Sequence, residues 1–254
     1  MDEAVARRLV ALNEAFYERF AEPFAASRAT PPPGFARLLA HLPAAPSCVL
    51  DVGCGDGRFG RFLRARDPAI DPTTGYTGVD FSAPLLAAGE APGHLLRRDL
   101  SRPGALDGLG SFDWVVCLST LQHIPGHDHR ARLLREMRGC LRPGGRLALA
   151  NWQFLDSPRQ RRKLRPWAEV GLDAADVEPG DYLLAWQRGG YGLRYVALLD
   201  AAATAALAEA AGLAVLAQFR SDGREGDLNL YTILAVADRQ GKGMQEWNAD
   251  SCAD

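Results

Sequence analysis

No apolar run in this chain approaches the roughly 18 residues that suggest a membrane-spanning helix, although 47% of its residues are hydrophobic. The N-terminus, MDEAVARRLV, has no apolar stretch behind its charges, so no secretory signal is read there. The five cysteines are odd in number and include no C-x-x-C pair, which argues for reduced thiols in a cytoplasmic protein. Cys48, Cys54 and Cys117 lie in or beside predicted strands and read as small buried hydrophobes. Excess charge is also missing. A net charge of −2 gives no global field for nucleic acid, so any RNA contact must come from local basic patches. No internal repeat is evident, and 254 residues suffice for one well-buried α/β core.

What the chain does have is CVLDVGCGDGRFG, Cys48 to Gly60. An apolar run ending in an acid meets glycines at 53, 55 and 57, and a helix-like segment follows. Glycine lets the backbone turn sharply and approach a ligand without a Cβ in the way. The following helix aims its N-terminal N–H groups at whatever binds there. That geometry suits a nucleotide or a nucleoside with a charged tail. Gly55, Gly57 and Gly60 formally satisfy G-x-G-x-x-G, with Asp80 about 20 residues on, which is the dinucleotide spacing. Asp51 discriminates, because a carboxylate beside the loop suits an ammonium group better than a pyrophosphate.

Taken whole, VLDVGCGDGRF resembles the first motif of class I S-adenosylmethionine-dependent methyltransferases. Four further segments follow in that family's order and spacing: YTGVDF at Tyr76–Phe81, LLRRDL at Leu95–Leu100, FDWVVCLSTLQHIP at Phe112–Pro125 and LRPGGRLALANW at Leu141–Trp152. The resemblance implies S-adenosyl-L-methionine as cofactor. Asp51, Gly53, Cys54 and Gly55 would hold its amino-acid tail, and Asp80 with Phe81 would meet the ribose. Asp99, Leu100 and Leu118 would lie around the adenine ring. Tyr17 would close over the cofactor from the N-terminal helix, or else be core.

The implied fold is α/β: a Rossmann-like seven-stranded sheet, mostly parallel, its last strand antiparallel, with helices on both faces. Val5, Leu9, Leu12, Phe16 and Phe20 share one helical face, and a second short helix is expected around Phe35–Leu42. These N-terminal helices (1–46) precede the methyltransferase domain (47–237). Ser82 should cap a helix with Pro84 in its first turn, and Pro143-Gly144-Gly145 should stop one. Asp200 should cap an alanine-rich helix that Gly212 ends, before two closing strands at Leu213–Phe219 and Leu228–Ala237. Residues 238–254 lack periodicity and are expected to be a disordered tail.

An insertion at about 152–199 is expected to form a small cap between the fifth and sixth strands. DYLLAWQ and LRYVALL around RGGYG predict a hairpin there. RQRRKLR, Arg159–Arg165, reads as a solvated helix face or as an RNA or phosphate contact. With LNEAFYERFAEPFAASRATP, NWQF, GDYLLAWQ and LRYVALL, the chain is similar to tRNA wobble-uridine carboxymethyl methyltransferases. That resemblance implies a carboxymethyl ester formed on tRNA, and its eukaryotic members need a small zinc-bearing activator subunit. A small-molecule acceptor stays open as the alternative, and a non-catalytic binding protein is the third.

A carboxylate nucleophile is already ionised at neutral pH and needs no general base, but gains from a guanidinium that holds one oxygen. Arg28 and Arg194 are the candidates for that role. His123, after the fourth strand, is the candidate to orient or deprotonate a nucleophile. His127 and His129 follow it, but no ligand set accompanies them and no metal is expected; Asp128 reads as a helix cap.

Overall fold

The computed structural model describes residues 1–28, 30–42, 48–66, 75–89 and 93–237. The expected tail at 238–254 and the expected 46/47 boundary lie outside them. Helix α1 spans Glu3–Ala26, and the Asp2 carboxylate caps it by accepting from the Ala4 N–H at 2.7 Å. Leu9, Asn13, Phe16, Tyr17, Phe20 and Phe24 form its buried side, while Val5 and Leu12 are only half-buried. The helix runs on through Pro23 by kinking at Phe20, because proline has no N–H and its ring crowds the carbonyl four residues back. Helix α2 (Pro33–Leu39) starts on the proline run and ends before the expected Leu42.

The core then alternates: β1 (Val49–Val52), α3 (Arg58–Arg66), β2 (Tyr76–Asp80), α4 (Ala83–Ala87), β3 (His94–Arg97), β4 (Phe112–Leu118), α5 (His127–Gly139) and β5 (Leu141–Trp152). The insertion supplies α6 (Pro158–Arg161), β6 (Leu164–Arg165), β7 (Asp181–Trp186) and β8 (Gly192–Ala197). Helix α7 (Ala201–Ala210), β9 (Leu213–Ser221) and β10 (Asn229–Val236) complete the order. The main sheet runs β3-β2-β1-β4-β5-β10-β9, and β10 alone opposes the other strands. Strand periodicity of two feeds two cores, one per face. Leu50, Val52, Val115 and Cys117 meet Leu133 and Met137 of α5, whereas Val49, Trp114 and Val116 meet Phe35, Phe59 and Phe62.

Local signals hold at several termini. Ser82 Oγ accepts from the Leu85 N–H at 3.4 Å, and the Asp200 carboxylate accepts from the Ala203 N–H at 2.8 Å. Gly212, at φ +70°, follows the end of α7. Other expectations need correction. Pro143-Gly144-Gly145 does not stop a helix, since α5 already ends at Gly139 and β5 starts at Leu141. The triplet is an irregular strand entry, where the β4–β5 register slips between Phe112 and Trp114. Asp128 does not cap α5 either. Gly126 occupies the cap position, and Asp128 stands exposed in the first turn.

The insertion forms a separate antiparallel sheet, β6-β7-β8, with the expected hairpin at its centre. RQRRKLR is not a continuous helix face. Its chain makes one helical turn and then a strand, because Leu164 is drawn inward against Leu184, Val196 and Phe154.

Candidate active site

Strand order reverses at β1, between β2 and β4, and open α/β sheets bind ligands at such a switch point. A cleft opens there, off the carboxyl ends of these strands. Its walls bring together Tyr17, Arg28, Asp51, Gly53, Cys54, Gly55, Asp80, Phe81, Leu100, Leu118 and His123. They also include residues the sequence reading missed, among them Asp56, Arg58, Leu85, Ser119 and Thr120.

Gly53 has φ +79°, and a Cβ there would sit 2.2 Å from the Thr120 side chain. Thr120 Oγ1 in turn donates to the Gly53 carbonyl at 3.1 Å. Asp80 braces the same loop: Oδ2 accepts from the Gly55 N–H at 2.8 Å and Oδ1 from the Ser82 N–H at 2.9 Å. Asp51 is buried, with Oδ2 accepting from the Tyr76 hydroxyl at 2.6 Å. Burial pushes its carboxyl up to about 7, against the lowering effect of that hydrogen bond. Burial likewise raises Asp80, opposed by its backbone hydrogen bonds. Both acids are thus primed to gain from a positive ligand. Ser119 adopts a left-handed conformation (φ +63°), uncommon for a non-glycine residue, and its Oγ accepts from Trp152 Nε1 at 3.1 Å. A lone Ser-Thr pair after an apolar run gave no warning of it.

His123 does not stand as a free base. Its Nδ1 lies 3.0 Å from the Tyr195 carbonyl, which only accepts, so Nδ1 carries the proton. Nε2 is left to accept from the Tyr17 hydroxyl at 3.2 Å. Burial, then nearby Arg194, lowers its pKa to about 3. The Nε2 lone pair is thus engaged by Tyr17, and an imidazole with so low a pKa is a weak base.

Two expected residues lie off the cleft wall. Asp99 turns away: its carboxylate accepts from the Ser101 N–H at 3.0 Å and from Arg102 Nε at 2.8 Å, and Leu100 reaches the cleft instead. Arg194, on β8, lies behind Tyr17 and His123, with its guanidinium carbon 4.5 Å from the Trp152 ring centroid and 5.5 Å from that of Trp186. It is 6% exposed, and its Nε and Nη1 have no hydrogen-bond partner among the described residues. Arg28 lies on the wall, 3.8 Å over the Phe24 ring and 5.9 Å from that of Trp152. Burial lowers Arg28 to about 9 and also depresses Arg194; a guanidinium nonetheless keeps its proton in proteins. Neither forms an ion pair among the described residues. Burying an unpaired charge costs several kcal/mol, so an anion in this place would find a ready partner.

His127 and His129 do not converge on His123. His129 Nε2 lies 3.3 Å from Glu3, and His127 Nδ1 lies 3.4 Å from Asp128. Among the described residues no three His, Cys, Asp or Glu side chains are grouped to hold a metal ion.

A doubly wound sheet, a glycine loop braced by buried Asp80 with buried Asp51 beside it, and a cleft at the switch point are the features of a nucleoside-cofactor site. Comparison with known proteins narrows this class. The family described as "Methyltransferase domain" matches residues 50–147. A protein of Encephalitozoon cuniculi named as a methyltransferase is 31% identical over 173 residues, covering 67% of this chain and 72% of that protein. Uncharacterized methyltransferases of Mycobacterium tuberculosis and Mycobacterium bovis are 38% identical over 142 residues, covering 54% of this chain and 66% of theirs. The CcbJ methyltransferase of Streptomyces caelestis shares the fold, at TM-score 0.60 and 18% identity, over 88% of this chain and 98% of its own. The chain belongs to the class I S-adenosylmethionine-dependent methyltransferases.

Two further relatives are named for their acceptors. A trans-aconitate 2-methyltransferase of Streptomyces avermitilis is 36% identical over 137 residues, half of this chain and 48% of its own. A tRNA (carboxymethyluridine(34)-5-O)-methyltransferase of Arabidopsis thaliana is 26% identical over 137 residues, 54% of this chain and 31% of its own. Among the described residues no helix is long and apolar enough to cross a membrane.

Proposed function

We propose that this methyltransferase esterifies a carboxylate. The observation that carries the reading is Arg194: a buried guanidinium with two unpartnered nitrogens, clamped between tryptophans beside a second unpaired cation, Arg28. An anionic oxygen is the natural partner for such unspent charged donors. Two of the relatives named for their acceptors agree in chemistry, because trans-aconitate and carboxymethyluridine both carry a carboxyl group.

The charges of the cleft suit the cofactor. Asp51, beside the Gly53–Gly55 turn, would hold the ammonium of the amino-acid tail. Asp80, which spends two acceptor sites on backbone N–H groups, keeps lone pairs for ribose hydroxyls. Phe81, Leu100 and Leu118 flank the base, and Tyr17 covers the cleft from α1. Bound there, S-adenosylmethionine would supply an electrophilic methyl carbon to an ionised carboxylate oxygen, with the C–S electron pair going to sulfur. No proton moves in that step, which agrees with a His123 held neutral. Arg28 and Arg194 hold the acceptor, and the aromatic walls exclude water.

A methyl ester is base-labile, so radiolabelled product should release methanol on mild alkaline treatment. A base-stable product would sink the carboxylate reading. Exposed Arg159, Arg161, Arg162 and Arg165 at the cap favour a second reading, in which the carboxyl group belongs to a tRNA wobble uridine. Nucleoside mass spectrometry of tRNA from a strain lacking the gene tests it, and an unchanged wobble-uridine profile rejects it.

A further inference from the structure

Ser119 takes no part in the transfer described above, yet the fold holds it at a cost. It follows β4 with φ +63°, a left-handed backbone that only glycine adopts freely. It lines the cleft, and hydrogen bonds from both its backbone and its side chain fasten it to β5. Its N–H donates to the Ala150 carbonyl at 2.7 Å, and its Oγ accepts from Trp152 Nε1 at 3.1 Å. The backbone N–H of Trp152 donates in turn to Gln122 Oε1 at 2.6 Å, so the indole is fixed at its nitrogen and at its backbone. Arg28 and Arg194, which form no ion pair among the described residues, share this ring: Arg194 lies 4.5 Å and Arg28 5.9 Å from its centroid. A guanidinium is attracted to an aromatic face, so holding the ring still helps to hold the cation. Next to Ser119, Thr120 serves the other half of the site, donating from Oγ1 to the Gly53 carbonyl at 3.1 Å. Consecutive hydroxyls thus join the cofactor loop and the shared ring to one turn of chain.

We propose that Ser119 is a positioning residue. Through the Trp152 indole it sets Arg194 and Arg28, and with them the acceptor carboxylate, in register with the methyl donor at the Gly53 loop. The proposal rests on the carboxylate reading above and deepens it. Methyl transfer is steeply sensitive to alignment, and a displacement of about 1 Å can cost about a hundredfold in rate. Backbone strain of this kind persists where the surroundings over-determine it, and such positions gather at active sites.

Ser119→Gly separates this role from a structural one, because glycine keeps the left-handed backbone without strain but lacks the hydroxyl. Trp152→Phe keeps a ring beside the arginines and removes the indole N–H. Methyl transfer to butyrate, tricarballylate and 5-carboxymethyluridine is measured for the full chain, S119G, W152F and S119G/W152F, with S-adenosylmethionine affinity from calorimetry. On any acid that accepts a methyl group, each single variant should lower kcat about tenfold, a misalignment effect. KM and cofactor affinity should stay within about twofold, and the Tm of S119G within about 4 °C. The double variant should lose no more than either single one, since both break the same contact. In the protein without cofactor, NMR should show the Trp152 indole N–H exchanging about tenfold faster in S119G. An unchanged kcat on an acid that is methylated, additive losses, a parallel loss of cofactor affinity, or unaltered indole exchange would overturn the positioning role and leave the carboxylate reading intact. Methyl transfer to none of the acids, with S-adenosylmethionine still bound, would overturn the carboxylate reading and this role with it.

Discussion

The cleft and the cap solve opposite electrostatic problems. At the cleft, two buried carboxylates, Asp51 and Asp80, stand beside backbone N–H groups and await a cation. At the cap side, buried Arg194 and half-buried Arg28 stand among aromatic rings and await an anion. Tyr17 and His123 form the seam between them, joined by a 3.2 Å hydrogen bond. In-line transfer from a positively charged donor to a negatively charged acceptor asks for this division. The lesson lies in how each half is held. The cleft acids are fixed by backbone groups and by Tyr76, whereas Arg194 of the cap is held among aromatic rings with its Nε and Nη1 unpartnered.

The comparison breaks first at Gly53. Gly53→Ala should weaken S-adenosylmethionine binding by more than about a hundredfold in calorimetry, because φ is positive and the new Cβ collides with Thr120. Retained affinity would mean that the loop does not hold the cofactor. Arg194→Met should next lower kcat/KM for an acid acceptor by roughly a hundredfold, as expected when one partner of a buried charge pair is removed. S-adenosylmethionine affinity should stay within about twofold. A parallel loss of cofactor binding would show that the two halves are one site.

The pH dependence gives a third, smaller effect. With its pKa near 7, Asp51 is increasingly protonated as pH falls below that value, and a protonated acid does not attract an ammonium group. Cofactor affinity should therefore fall by up to about tenfold per unit below that pH and level off above it. The Asp51→Asn variant should bind more weakly and lose that slope. A slope retained in the variant assigns the proton elsewhere. His123 adds no limb near neutrality, because its pKa is about 3.

Asp200→Ala should have the smallest effect. Loss of this helix cap costs about 1 kcal/mol. That corresponds to a Tm lower by about 2–4 °C for a chain of this size, with both kinetic constants unchanged. Any change in KM would couple α7 to the site and blur the contrast between the halves.

Legibility in sequence followed the same division. The cofactor loop is contiguous: Asp51, Gly53, Cys54 and Gly55 lie within five residues on one turn, so their spacing already encodes their geometry. Asp80 was legible because a short strand ends on it. Asp99 matched its motif, but the turn after β3 spends its carboxylate on Ser101 and Arg102. The basic segment suggested a helix face, yet the pull of Leu164 into the cap core splits it between a turn and a strand.

By itself, then, the sequence determined the alternating α/β order, the glycine turn, the acid at each strand end and the caps at Ser82 and Asp200. These depend on residues only a few positions apart. The tertiary structure decided what distance along the chain conceals. It left Arg194 without an ion pair near Trp152 and Trp186, set Arg28 near the same Trp152 ring, and joined His123 Nε2 to the Tyr17 hydroxyl. Whether a buried charge finds a partner, and whether a histidine keeps its lone pair, depends on what packs around it from elsewhere in the chain.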